Sequence, residues 1–173
     1  MCINCYWNWL ATNSSNIIAV CALILTIWQA FVTRRHNKLS VVPYLTTWSN
    51  SGDKGLFRVD IINNGIGPAL IQTFQVFVDG HEIVGQDLEI IRKALKILFP
   101  NYGYNSYNSF LSKGYMMSPK ESRCLLEIQF IGNRFPTPEE IEHATKRTKI
   151  YIKYESIYKQ KLIYDSSKFK VLN

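Results

Sequence analysis

Residues 17–32 read IIAVCALILTIWQAFV, an apolar run broken only by Thr26 and Gln29. At a rise of 1.5 Å per residue, a helix over 13–33 is about 30 Å long, which is the thickness of a bilayer hydrocarbon core. Apolar residues occur all round the segment, so it does not bury one face and wet the other as a surface helix does. The reading is an N-terminal transmembrane α-helix over 13–33. Trp7 and Trp9 before it, and Trp28 and Phe31 at its end, suit the aromatic belts at the two membrane interfaces.

Two alternatives are a buried core helix and a cleaved signal peptide. Cleavage lacks a basic segment before the run and a small-x-small site after it, where the sequence is the bulky, cationic TRRHNK. A core helix does not explain the charge step. The formal net charge is +7, yet residues 1–33 hold no Asp, Glu, Lys or Arg.

Arg34, Arg35 and Lys38 follow the span directly, and the positive-inside bias then places the C-terminal part in the cytoplasm. The same cluster is attracted to the anionic head groups of the inner leaflet, at about 1 kcal/mol per basic side chain. The expected organisation is a short extracytoplasmic tail (1–12), the transmembrane helix (13–33), a basic juxtamembrane segment (34–42) and a cytoplasmic β-rich domain (43–173). The domain is expected to be antiparallel and β-sandwich-like, with two short helices.

Within that domain, LSVVPYLTTW around Pro43 suggests an extended edge strand. Phe57, Val59 and Ile61 alternate with Arg58 and Asp60, the pattern of a strand with one wet face. The segment NNGIGPA follows. Its Asn63, Asn64, Gly65, Gly67 and Pro68 form a structural turn in which Asn64 and Gly65 tolerate positive φ. A second strand over 70–78 ends at the hairpin signal Asp79-Gly80, so an antiparallel meander is expected. The glycines do not make a phosphate cradle, because such loops open a helix and here a strand follows.

Asp87 is the expected cap of a helix reaching Leu98, with Leu88, Ile91, Leu95 and Leu98 buried and Pro100 ending it. Residues 101–118, NYGYNSYNSFLSKGYMMS, lack helical period and should form a long loop or two weak strands. Leu126, Ile128 and Phe130 alternate with Glu127 and Gln129 in the clearest strand of the chain. Thr137-Pro138-Glu139-Glu140 is a capping box that opens a short helix to Lys146. Residues 149–170 read as a Tyr-rich, Lys-rich hairpin. From Lys146 on there are eight basic side chains against Glu155 and Asp165.

No catalytic constellation is found. G-x-S-x-G, H-E-x-x-H, a Cys–His pair in a plausible frame and paired acids near a glycine-rich cleft are all lacking, so the expectation is a non-enzymatic protein. Cys2 and Cys5 form a CxxC, but Cys21 sits in the span and Cys124 in a strand, so neither a zinc ribbon nor a thioredoxin-like site is assembled. A Cys2–Cys5 disulfide on an oxidising outer face and two unrelated thiols both remain open. His36, His81 and His143 lack partners at ligand spacing. No metal and no cofactor are expected.

The candidate contact residues for a partner are Tyr102, Tyr104, Tyr107, Lys113 and Tyr115. Tyrosines offer faces on which bases or a protein surface can stack, and lysine offers charge to phosphate. The bland reading is a polar loop whose tyrosines lie on the core.

R-x-H-N-x-L-S-V-x-P (34–43), N-N-G-x-G-P-A (63–69) and Y-x-S-I-Y (154–158) resemble a family of small bacterial proteins with one N-terminal transmembrane helix, often carried on mobile gene cassettes. The resemblance implies the bacterial inner membrane and an accessory role such as phage defence. It lends no catalytic residues. Two functions are expected from different classes. One is a membrane-tethered binding or scaffold module for a cytoplasmic protein or a nucleotide. The other is a small effector whose domain senses a ligand and gathers the helices into a homo-oligomer, with Thr26 and Gln29 bridging them.

Overall fold

The computed structural model describes residues 3–52 and 55–169, with side chains from residue 12 to 168. The chain divides into two units, residues 1–40 and 41–173. The Cys2–Cys5 pair and the side chains of Trp7 and Trp9 lie outside the described residues.

The first unit is one helix, α1 (Ile3–Ser40). It is longer than the apolar run requires, since it starts before Asn13 and carries Arg34, Arg35 and Lys38 within its last two turns. Its apolar side chains are exposed throughout: Ile18, Leu25, Trp28 and Phe31 each leave more than half their surface uncovered. By length and composition it is able to cross a membrane. Thr26 donates its hydroxyl to the Ala22 carbonyl, 2.8 Å away, which satisfies this polar group inside the helix.

The second unit is a sandwich of two antiparallel sheets, in all nine strands among the described residues. Sheet A has the order β1-β2-β7-β5: β1 (Leu45–Gly52), β2 (Leu56–Asn63), β7 (Ser122–Ile131) and β5 (Gly103–Asn108). Sheet B has the order β4-β3-β8-β9: β4 (His81–Glu82), β3 (Ala69–Val78), β8 (Thr148–Glu155) and β9 (Lys161–Asp165). The short β6 (Met116–Met117) adds to the start of β3. The helices are α2 (Leu88–Leu98) and α3 (Pro138–Arg147), and a 3₁₀ turn, Ser166–Phe169, follows β9.

The expected meander is corrected here. β2 pairs with β1 and β7, whereas β3 pairs with β8, so residues 63–69 cross from one sheet to the other. The conformational reason for the glycines changes too, because neither Asn64 nor Gly65 adopts positive φ. They are glycines for want of space. A Cβ on Gly65 would stand 2.4 Å from the Tyr44 nitrogen and the Val42 oxygen, and one on Gly67 would stand 2.2 Å from the Val41 oxygen.

The cap of α2 is a second correction. Asp87 makes no side-chain cap bond and holds a left-handed φ of 47°; Glu89 instead accepts from the Gln86 amide at 3.2 Å. The capping box of α3 is present as read: Thr137 accepts from the Glu140 amide, and Glu140 accepts from the Thr137 amide at 2.8 Å. The weak strands in the Tyr-rich segment are β5 and β6, and the terminal hairpin is β8–β9.

The registers sort the loops into two ends. One end gathers residues 41–44, the 63–69 crossing, the 109–121 segment and the 156–160 turn, because Leu45 faces Asn63, Ala69 faces Met117 and Glu155 faces Lys161. The other end carries the β3–β4 turn and both α2 and α3. There α2 acts as a wedge: Ile90 and Ala94 join the core cluster of β3, β8 and β9, while Ile91 and Leu95 join a second cluster with Phe57, Ile128 and Phe130.

Candidate functional site

The wedge does not fill the gap it opens. At the seam between the two clusters lies a cavity of about 450 Å³, within the range typical of small-molecule sites. Phe57 and Val59 of β2, Phe74 and Val76 of β3, and Ile91, Leu95 and Leu98 of α2 supply its apolar walls.

A bulge widens the apolar contribution of β7. Val59 pairs with Leu126 and Asp60 with Cys124, so Leu125 is the extra residue. In a regular strand Leu125 and Leu126 would face opposite ways; across the bulge both line the cavity. Alternation alone assigned only Leu126 inward.

Ala94, Phe99, Ala144 and Ile150 complete the apolar part, and the other lining residues carry hydroxyls: Thr46, Thr47, Ser49, Thr145, Thr148, Tyr164 and Ser166. No Asp, Glu, Lys, Arg, His or Cys is among the lining residues. Ser49 and Thr145 are exposed, whereas Tyr164 is as buried as Phe74, Val76 and Leu95, so hydroxyls occur both at the surface and in the interior of the lining.

Six of the seven hydroxyls have hydrogen-bond partners, Thr46 accepting from Asn64. Thr145 and Thr148 donate back to the carbonyls of Ile141 and Ala144, at 2.9 and 2.8 Å. Ser166 accepts from the Ile150 amide at 2.9 Å. Thr47 of β1 and Tyr164 of β9 share a hydrogen bond that joins the edges of the two sheets. Burial pushes the Tyr164 phenol above its ordinary value, so it stays protonated at neutral pH. A hydroxyl both donates and accepts. The set therefore matches uncharged oxygen or nitrogen functions and provides no counter-charge for an ion.

The tyrosines singled out from the sequence do not converge. Tyr102 packs edge-on against Phe99 and Phe130 and donates to Glu140 at 2.7 Å; that bond holds its phenol above the usual range. Tyr104 lies on Phe130. Tyr115 stands at the opposite end, bonded to Glu121 and covered by the Arg123 guanidinium at 4.6 Å. Tyr107 and Lys113 are exposed.

Asn63 occupies a position of another kind. It is fully buried, and its Oδ1 accepts from the amides of Tyr44 and Gly65, both at 3.1 Å. Its Nδ2 lies within 2.8 Å of the Gly67 carbonyl, 3.2 Å of Ser118 and 3.3 Å of Met117. Asn64 follows it and donates to Thr46 at 2.7 Å, and Pro68 closes the same crossing after Gly67. Two of the quoted motifs, S-V-x-P and N-N-G-x-G-P-A, thus form one contact.

Arg34, Arg35 and Lys38 are exposed on α1. Among the described residues no group of three His, Cys, Asp or Glu gathers to hold a metal, and Cys21 and Cys124 are free thiols. The cavity was not foreseen. Its only sequence signals are Ala94 and Ala144, small residues on the inner faces of the two helices, and the paired Leu125-Leu126. No model of a known protein family matches the chain, and no curated protein matches it.

Proposed function

We propose that the chain is a membrane-tethered, non-enzymatic binding module whose ligand enters the cavity between the sheets. The ligand class is an uncharged, largely apolar small molecule carrying oxygen or nitrogen functions. The observation that carries this reading is the lining itself: about 450 Å³ lined by hydrocarbon and hydroxyls, with no charged side chain. Burying a charge without a partner is costly, so ions and the phosphates of a nucleotide are disfavoured there. α1 is the tether, in a bacterial inner membrane with its N-terminus outside and the domain in the cytoplasm; Arg34, Arg35 and Lys38 support that orientation.

Native mass spectrometry of the full chain held in nanodiscs tests the binding reading. The expected result is a retained neutral adduct on the wild-type chain and none on Ala94→Phe, whose ring occupies the cavity. A wild-type chain that carries and acquires no adduct from a panel of neutral amphiphiles, while Ala94→Phe is merely more stable, would reduce the cavity to a packing void.

A further inference from the structure

The end of the sandwich remote from α2 and α3 has a surface that the binding reading does not use. Tyr44, Ile66, Met116, Ile157 and Tyr158 all stand exposed there, with Ile66 at 69% and Ile157 at 52% of full exposure. They sit on the tips of the four segments that the sheet registers bring to this end. An apolar residue at the tip of each neighbouring loop is unlike the scatter of single exposed side chains on an ordinary surface.

Lysines stand between them. Lys113, Lys120, Lys159 and Lys161 are exposed at the same end, and none of the ion pairs among the described residues uses them. The acids of this end are Glu121, which accepts from Tyr115 and from the Ser118 amide, and Glu155. The helix-bearing end differs. There Lys93–Glu89, Arg134–Glu140, Lys146–Glu142 and Arg147–Asp79 are ion pairs, while Arg92, Lys96 and Lys168 are exposed outside them. The loop-bearing end thus sets four exposed lysines against two acids, beside its apolar tips.

This is also the end at which the domain begins. Gly67 packs on Val41, the residue that follows the last residue of α1, and Asn63 binds the Tyr44 amide. We infer that this end of the sandwich docks on a bilayer surface containing anionic lipid, with the lysines at head-group level and Ile66, Ile157 and Tyr158 entering the interface. Charge complementarity selects the occupant: lysines interleaved with apolar and tyrosine tips suit a negatively charged, amphipathic plane. The inference rests on α1 being the membrane anchor. It is independent of what occupies the cavity.

Hydrogen exchange of the full chain in nanodiscs separates the two. In neutral phosphatidylcholine discs and in discs containing phosphatidylglycerol, the amides of 17–32 report the anchor. Segments 63–68, 112–120 and 156–160 report docking, and the 132–137 loop at the other end serves as the control. We expect at least a fivefold slowing of exchange in the three docking segments in anionic discs alone. High salt, the combined Lys113→Glu, Lys120→Glu and Lys159→Glu variant, and Ile66→Ser should each reduce it. Equal exchange in the two kinds of disc, or slowing that survives the charge reversal, would overturn the docking surface whatever the anchor amides show.

Discussion

Asn63 shows how a single polar residue can organise a loop. Its side chain accepts from the Tyr44 and Gly65 amides and shares its two Nδ2 hydrogens among the carbonyls of Gly67, Met117 and Ser118. Truncating it leaves several buried groups without partners, each costing about 1–3 kcal/mol. Asn63→Ala is accordingly expected to lose at least about 3 kcal/mol by urea denaturation of the full chain in nanodiscs. Asn64→Ala, which removes one exposed bond to Thr46, should lose no more than about 1 kcal/mol. Similar losses for the two would show that the Asn63 network is not what holds the crossing.

Asp165 makes a prediction in pH at the same scale. Burial alone would raise its pKa, but Ser167 and Lys149, whose Nζ is 2.9 Å away, bring it below the usual carboxylate range. The unfolded chain therefore takes up the proton first as pH falls. The stabilisation is complete at neutral pH, begins to fade near about pH 4 and is lost through the lower folded value. Asp165→Asn should be less stable than wild type at pH 7 and approach it at pH 3. A gap that stays constant with pH would mean that the carboxylate charge is not the stabilising feature.

Among the elements, α3 is the one whose start was fully legible. Its capping box satisfies helix-end amides that no carbonyl can reach. Thr137→Ala should cost about 1 kcal/mol, largely recovered in Thr137→Ser. Glu140 serves the box and also accepts from Tyr102, whose ring lies on Phe130. The cap thus fastens the helix to sheet A, a link that spacing could not reveal. α2 was legible in extent but not in its start, because Asp87 was assigned from residue type and the backbone there turns left-handed.

α1 was read from composition, and composition is what a bilayer selects. An arginine at Leu25, near the middle of the span, costs about 2.5–3.5 kcal/mol on insertion scales. With a cytoplasm-dependent reporter at the C-terminus, the wild-type chain should be active in the membrane fraction, and Leu25→Arg should move a large share out of it. An unaltered distribution would mean that the helix is held by something other than lipid. Thr26, Gln29, Ala30 and Thr33 are exposed on this helix at helical spacing. The effector reading predicts that Gln29→Leu reduces cross-linking between copies in the membrane, and unchanged cross-linking would count against it.

At the scale of the whole molecule, the sandwich is closed at one end by loops and held open at the other by helices. The Thr47–Tyr164 bond joins the two sheet edges, and α2 separates the sheets beyond it. A site made in this way depends on incomplete filling, so adding volume should stabilise the ligand-free chain. Ala94→Phe is expected to raise the melting temperature by a few degrees, about 1–2 kcal/mol of newly buried hydrocarbon. A fall instead would show that the gap is tighter than its volume suggests.

The long apolar helix, the alternating strands, the capping box and the terminal hairpin were set by properties that each segment carries alone: hydropathy over a run, period along a strand, local bonds at a helix end. Pairing partners were not among them. That β2 and β3 belong to different sheets, that two glycines serve close approach and not positive φ, and that Leu125 turns inward all depend on contacts between residues distant in sequence. The cavity is of the same kind. It exists because two sheets and a wedge fail to meet, and no residue in its wall records that failure, since van der Waals packing is decided only when the elements are brought together.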